Sequence, residues 1–357
     1  MNLAPDALNR ITDVVLAYDP QKHGDKKSDV KPATRIFGGY DIQLADAFDW
    51  LKAREANSIH AIVTDPPYGV KEYTDEEKAK LRSGRGGVWR QPPSFDGHMR
   101  SPLPRFTVLD ESDIEALRLF FVKFAKEALR VLVPGGHVMI ATNPLLSQFV
   151  YVPMMEAGFE KRGEIIRLIQ TLRGGDRPKN AHQEFHDVSV MPRSGWEPWG
   201  LFRKPCEGRV QDNLRKWGTG GLRRVSGHAP FSDVIRSSPA RNGEREIASH
   251  PSLKPQAFMR QLVRAALPLG KGVILDPFMG SGSTVAAASA VGYSSIGIEK
   301  DSRYFAVAKK AIPALARYVP KDVAVTEDTA GGTVATSKRP QANSHPKGGR
   351  VRRKADG

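Results

Sequence analysis

The sequence is poor in cysteine: Cys206 is the sole one among 357 residues. An internal disulfide and a cysteine-rich zinc site are both excluded, and the scarcity fits a reducing cytoplasm. Acidic residues are also in deficit, 39 against 54 Lys and Arg, which leaves a formal charge of +15. The first residues, Met-Asn-Leu-Ala-Pro-Asp, lack the basic and apolar regions of a secretory signal. Residues 277–298 carry no charge, yet they are too rich in Gly and Ser for a lipid-facing helix. They read as a turn, a helix and a strand, so a cytoplasmic protein with no membrane partner is expected.

What is present describes a folded globular chain, with 40% apolar and 26% charged residues. The positive charge is unevenly spread. Residues 71–106 carry a net +3, residues 160–255 a net +7 and the last 20 residues a net +6, so the rest is close to neutral. Such a distribution points to a polyanionic partner held by insertions and a tail around a neutral scaffold.

The scaffold alternates strand and helix. Apolar alternation predicts strands near 41–45, 59–64, 137–141, 164–171, 272–275 and 295–298. Helical spacing predicts helices over 47–54, 111–132, 144–157, 256–267, 283–291 and 301–315. In the second of these, Ile114, Leu117, Phe121, Phe124, Ala128 and Leu132 form one stripe, and Pro134-Gly135-Gly136 reads as its stop signal. Strands separated by helices of this length imply an α/β fold with a mostly parallel sheet. Residues 71–106 and 160–255 break the rhythm and read as irregular functional insertions.

Two short motifs carry chemistry. The first is Asp276-Pro277-Phe278-Met279-Gly280-Ser281-Gly282-Ser283-Thr284, between a strand and a helix. Glycines there let backbone approach a ligand at the carboxyl edge of a parallel sheet. Val285 occupies the third glycine position of a dinucleotide fingerprint, and no Gly-Lys-Ser/Thr follows for a P-loop. Glu299, at the end of the next strand, is placed to accept from both hydroxyls of a ribose. The combination implies an adenosine-containing cofactor without a pyrophosphate to cradle. The second motif is Asp65-Pro66-Pro67-Tyr68, after an apolar strand. The prolines stiffen the backbone and remove amide donors. A carboxylate beside a carbonyl can hold both hydrogens of one exocyclic amine, and Tyr68 offers a face for stacking a base.

These motifs, with His250-Pro251-Ser252-Leu253-Lys254-Pro255 between them, resemble the β class of DNA amino-methyltransferases that use S-adenosylmethionine. The resemblance covers roughly residues 36–318. It implies a permuted, seven-stranded, mainly parallel Rossmann-like sheet with helices on both faces, plus an irregular basic target-recognition insertion. The chain would enter at the third strand, near 41–45, and finish on the second, near 295–298. The implied division is an N-terminal arm 1–35, a catalytic half 36–159, a target-recognition region 160–249, a cofactor-binding half 250–318 and a disordered basic tail 319–357.

Residue by residue, the resemblance implies that Asp65, Pro66, Pro67 and Tyr68 bind the target base. Phe278, Gly280, Ser281, Gly282 and Thr284 would line the methionine part of S-adenosylmethionine, with Asp276 near its ammonium. Glu299 would bind the ribose, Asp46 would accept from the adenine, and Ser252 and Lys254 would bound the same pocket. Arg173, Arg177, Lys179, Arg215, Lys216, Arg223 and Arg224 are the candidates for contact with double-stranded DNA. Asp at the head of the Asp-Pro-Pro-Tyr motif is commoner in members that methylate adenine N6, with cytosine N4 as the alternative. More distant alternatives are an RNA or protein-amide methyltransferase and a DNA-binding protein that has lost catalysis. The resemblance also suggests a homodimer and leaves a restriction endonuclease partner open. No metal site is expected, since His182, Glu184 and His186 lack further ligands at a recognisable spacing.

Overall fold

The computed structural model describes residues 35–37, 39–67, 111–173, 180–190, 194–237, 242–248 and 253–320, with positions 178, 192 and 240 besides. Most of the expected arm 1–35, the basic loop 71–106 and nearly all of the tail 319–357 lie outside these residues.

Nine strands form one sheet among the described residues: β1 (Arg35–Phe37), β2 (Tyr40–Leu44), β3 (Ile59–Thr64), β4 (Leu132–Ala141), β5 (Glu160–Arg173), β6 (Ser194–Arg203), β7 (Val234–Ser237), β8 (Val273–Asp276) and β9 (Ser294–Glu299). Eight helices accompany them: α1 (Ala47–Ala53), α2 (Glu111–Val131), α3 (Ser147–Glu156), α4 (Val210–Trp217), α5 (Asn242–Ile247), α6 (Gln256–Ala266), α7 (Ser283–Ala290) and α8 (Ser302–Arg317). The strand order is β1-β2-β9-β8-β3-β4-β6-β5-β7. The expected seven-stranded sheet is the run from β2 to β5. The two further strands extend its edges, β1 antiparallel to β2 and β7 parallel to β5. The permutation is as expected: the chain enters beside its own last strand, with Leu44 paired to Glu299.

Period-two alternation explains why helices cover both faces. Ile62, Val138, Ile140 and Leu275 point to one side, where they meet Leu51, Phe121, Phe124, Val150 and Met154 of α1, α2 and α3. Ala61, Val63, Met139 and Ile274 point to the other, against Phe258, Leu262 and Val263 of α6 and Ala287 of α7. The uncharged stretch 277–298 is a turn, α7 and β9, as its Gly and Ser content suggested.

Two expectations need correction. Pro134-Gly135-Gly136 does not separate α2 from the next strand. Strand β4 starts at Leu132, directly after the helix, and the three residues form an irregularity inside it, between the pairings Ile59–Leu132 and Ala61–His137. The Pro134 carbonyl is taken by the Asn213 amide at 3.0 Å and the Thr219 hydroxyl at 2.6 Å. Second, residues 160–255 are less irregular than their composition suggests. β5 and β6 are long strands of the main sheet, and β6 sits between β4 and β5, antiparallel to both. Its Gly195, Pro198 and Gly200 argue against a strand in sequence. Gly200 is required there because the rings of Tyr151 and Phe202 occupy the space a Cβ would need.

Candidate active site

The parallel strands end together. Register pairs Leu44 with Glu299, Asp276 with Gly297, and Thr64 with Ile140. β8 leads through α7 to β9 on one side, and β3 leads through α2 to β4 on the other. The point where neighbouring strands send their connections in opposite directions is where an open α/β sheet binds ligands. Here it lies between Asp276 and Asp65, and both acidic motifs fall on it.

A cleft at this point is lined by Asp65, Lys254, Met259, Asp276, Phe278, Met279, Gly280, Ser281, Ser283 and Thr284. Seven of these were expected from sequence. Met259, Met279 and Ser283 are additions; Met259, at helical spacing on α6, looks like ordinary core. Asp276 is buried at 3% exposure. Its Oδ1 accepts from the Thr64 hydroxyl at 2.7 Å and from the Phe278 amide at 3.2 Å. Burial nevertheless raises its pKa to about 6, against which the Thr284, Thr64 and Phe278 hydrogen bonds work, while neighbouring Asp65 adds to the rise. Phe278 is anchored from below, its ring 5.7 Å from both Phe120 and Phe124.

Glu299 braces the glycine turn. One carboxylate oxygen accepts from the Gly280 amide at 3.0 Å and the other from the Asp301 amide at 2.8 Å. Burial lifts its pKa, and these backbone donors oppose the shift. Gly282 has φ +85° and caps α7. It is not among the residues lining the cleft, and a Cβ there would meet Ile312 of α8. Its role is to let the turn pack closely. Asp46 begins α1 next to the Glu299 carbonyl, which accepts from Ala45 at 3.0 Å. One of its carboxylate oxygens caps the helix, accepting from the Phe48 amide at 2.8 Å.

Asp65 emerges from β3 with its side chain 17% exposed. Its Oδ2 accepts from Lys254 Nζ at 2.6 Å. Its Oδ1 is buried with no hydrogen-bond partner among the described residues. Burial raises the Asp65 pKa, the Lys254 ammonium opposes the rise, and the Glu197 carboxylate reinforces it. Pro66 is buried, and no described residue takes its carbonyl. Tyr68 and Ser252 lie outside the described residues.

Residues 59–310, which hold every strand of this edge except β2, match the family described as DNA methylase, N6_N4_Mtase. The chain belongs to that family. Among similar proteins, a Type II methyltransferase, M2.DpnII, of Streptococcus pneumoniae is 30% identical over 76% of this chain and 88% of its own. The Type II methyltransferase M.HindIII of Haemophilus influenzae is 25% identical over 75% of this chain and 93% of its own. In fold, the methylase is similar to the solved PvuII DNA methyltransferase (cytosine-N4-specific), with a TM-score of 0.50 and 14% identity over 80% of this chain and 88% of that one. It is therefore a DNA amino-methyltransferase of the β class.

The basic candidates of the methylase divide between two edges. Arg173 ends β5 at the carboxyl edge of the parallel strands, the same edge as Asp65. Arg177 and Lys179, just beyond it, lie outside the described residues. Arg215, Lys216, Arg223 and Arg224 are not brought to that edge. Their helix α4 is tied through Asn213 to Pro134, near the start of β4. Arg223 donates to the Tyr293 hydroxyl, just before β9 begins, at 2.7 Å. Arg215 and Lys216 are engaged in exposed pairs with Asp212 and Glu207. These four sit at the amino edge of the strands, because an antiparallel β6 carries the chain away from the catalytic edge.

Proposed function

We propose that this methylase transfers a methyl group from S-adenosylmethionine to the N6 amine of an adenine flipped out of double-stranded DNA at a specific site. The observation that carries the reading is the buried Oδ1 of Asp65, which has no hydrogen-bond partner among the described residues and lines the acidic cleft, with the Pro66 carbonyl one residue on. A buried acceptor without a donor is costly in the resting protein. It is the arrangement expected where a substrate supplies the donor.

The cleft fits the cofactor by its donor set. Asp276 lines the cleft, and Glu299 and Asp46 stand at the ends of the neighbouring strands β9 and β2; these acceptors suit an ammonium and hydroxyls and would repel a pyrophosphate. Asp276 would hold the ammonium, Glu299 the ribose and Asp46 the adenine, with Phe278, Gly280, Ser281 and Thr284 around the methionine part. S-adenosylmethionine supplies, when bound, an electrophilic methyl on a sulfonium. Asp65 and Pro66 do the rest. An exocyclic aromatic amine is a weak nucleophile because its lone pair is delocalised. Acceptors on both of its hydrogens favour a pyramidal nitrogen and stabilise the positive charge that grows on it. The amine gains a methyl as the methyl–sulfur bond breaks, the electron pair stays on sulfur as a neutral thioether, and the amine gives up one proton to solvent. In a duplex the amine is paired, so the base must leave the stack. Stacking on Tyr68 offsets part of that cost, about 1–3 kcal/mol.

Adenine rather than cytosine is favoured by Asp at position 65. A second support is the similarity to the DNA adenine methyltransferase YhdJ of Escherichia coli, 31% identical over 94 residues. Long-read sequencing of DNA from cells expressing the protein checks base and site together. Methylated adenine at one recurring sequence is expected; methylated cytosine would replace adenine as the target. Binding should also weaken steeply with salt, since a net +15 chain meets phosphates.

Cofactor binding should depend on pH through Asp276. The buried carboxyl keeps its proton up to a pH of about 6. Only the ionised form attracts an ammonium, so affinity should fall as pH drops through that value. Binding at pH 5 should be about tenfold weaker than at pH 7.5. In Asp276→Asn, affinity should be lower and this pH dependence flatter. Calorimetric titration with S-adenosylhomocysteine reads both, and an unaltered slope in the variant would remove Asp276 from the ammonium site.

A further inference from the structure

Behind Asp65 stands a row of buried charges that the reaction above leaves unused. Lys254 Nζ lies 2.6 Å from Asp65 Oδ2 and 3.6 Å from Glu197 Oε1. Glu197 Oε2 meets the Arg167 guanidinium at 3.0 Å, and its Oε1 accepts from the Trp199 indole at 2.9 Å. Arg167 in turn donates to the Ser237 hydroxyl at 3.0 Å. The side chains of Arg167, Lys254 and Glu197 are 7%, 10% and 15% exposed. The signs alternate from Asp65 to Arg167, and the members come from the residue after β3, the segment before α6, β6 and β5.

Burying four charges is expensive, and well-packed apolar residues would serve the fold as well or better. Apolar neighbours are at hand, since the Trp199 and Phe258 rings lie 5.4 Å apart against this row. The row therefore needs a reason other than stability. Its geometry supplies one at Asp65. The ammonium occupies one carboxylate oxygen and leaves the other, Oδ1, buried and without a described partner.

We propose that Lys254, held in place by Glu197 and Arg167, is a positioning residue that fixes the Asp65 carboxylate so that Oδ1 receives the target amine. This rests on the reading of Asp65 given above. It reassigns Lys254, which the resemblance had placed at the cofactor. An ammonium already shared between two carboxylates is fixed by them, and its mobility toward a third group is small. The ionisable groups facing Asp65 are Lys254, Glu197 and Arg167, with Asp276 on the neighbouring strand.

The test uses the full-length protein in excess over duplex DNA carrying its methylation site, in single turnovers at saturating cofactor. Lys254→Met should slow methyl transfer at saturating cofactor about 100-fold, a loss larger than any loss of cofactor affinity. Lys254→Arg should recover part of the rate. The acid limb of the pH–rate profile gives a signature that a merely structural role would not produce. Lys254→Met removes a positive neighbour of Asp65 and should move that limb to higher pH. Glu197→Gln removes a negative one and should move it to lower pH, with a rate loss of about tenfold. If Lys254→Met does not fold, the Glu197→Gln profile decides by itself.

A Lys254→Met protein that binds cofactor poorly but turns over normally once saturated would make Lys254 a cofactor ligand and overturn the proposal. So would unmoved acid limbs in both variants. An inactive Asp65→Ala beside a fully active Lys254→Met would sink this inference alone. An active Asp65→Ala would sink it together with the reading it rests on.

Discussion

Asp65→Ala will reduce methyl transfer by about 10³-fold or more while leaving cofactor binding within a few fold of the parent protein. The expected size follows from what the side chain does. It is the charged one of two acceptors proposed for the amine, and its effect is exerted from a mostly buried position. Loss of one such group at a reacting centre costs about 3–4 kcal/mol of barrier. The variant also leaves Lys254 beside Glu197 without its closer partner, so some thermal destabilisation should accompany it. The cofactor cleft is built mostly from the segment after β8 and retains its other walls. Single-turnover rates with labelled cofactor, set against calorimetric affinity for S-adenosylhomocysteine, separate the two effects. Turnover within tenfold of the parent would remove Asp65 from the chemistry.

Glu299→Ala will act on the cofactor instead, weakening it by about 100-fold. Two losses combine. The proposed ribose acceptor disappears, and so does the brace that holds Gly280 and Asp301 by their amides at 3.0 and 2.8 Å. Hydrogen bonds to a charged group contribute about 1.5–3 kcal/mol each. Release of the Gly280 amide loosens the turn on which the methionine part would lie. Glu299→Gln keeps an acceptor for one of the two amides and should fall between parent and Ala. Equal affinities across the three proteins would show that the carboxylate neither binds nor braces.

Much of the scaffold was readable in sequence because its signals are local. Strand β3 is a mostly apolar run interrupted by His60, and α2 places Leu117, Phe121, Phe124 and Ala128 on one stripe, all buried. Where local signals conflict with tertiary context, the reading failed. β6 contains two glycines and a proline, yet it is central to the sheet, because Tyr151 and Phe202 fill the space over Gly200. The basic residues of α4 are candidates for DNA contact by charge alone, and the fold places them at the amino edge of the strands. Their position depends on which edge an antiparallel strand delivers the chain to, and charge does not encode that.

The sequence by itself determined the family, the permuted order of the motifs and the chemical groups of the site. Backbone-restricting prolines, glycine turns and strand-end carboxylates are legible wherever they stand in a chain. Only the tertiary structure decided what those groups face. Asp65 and Lys254 are separated by 189 positions, and Thr64 and Asp276 by 212. Glu197 and Arg167 carry no motif at all. Their meeting depends on β3 lying between β8 and β4, and on β6 folding back beside β4. Ion pairing in a buried site depends on distance and desolvation, which are set by sheet order and not by spacing along the chain.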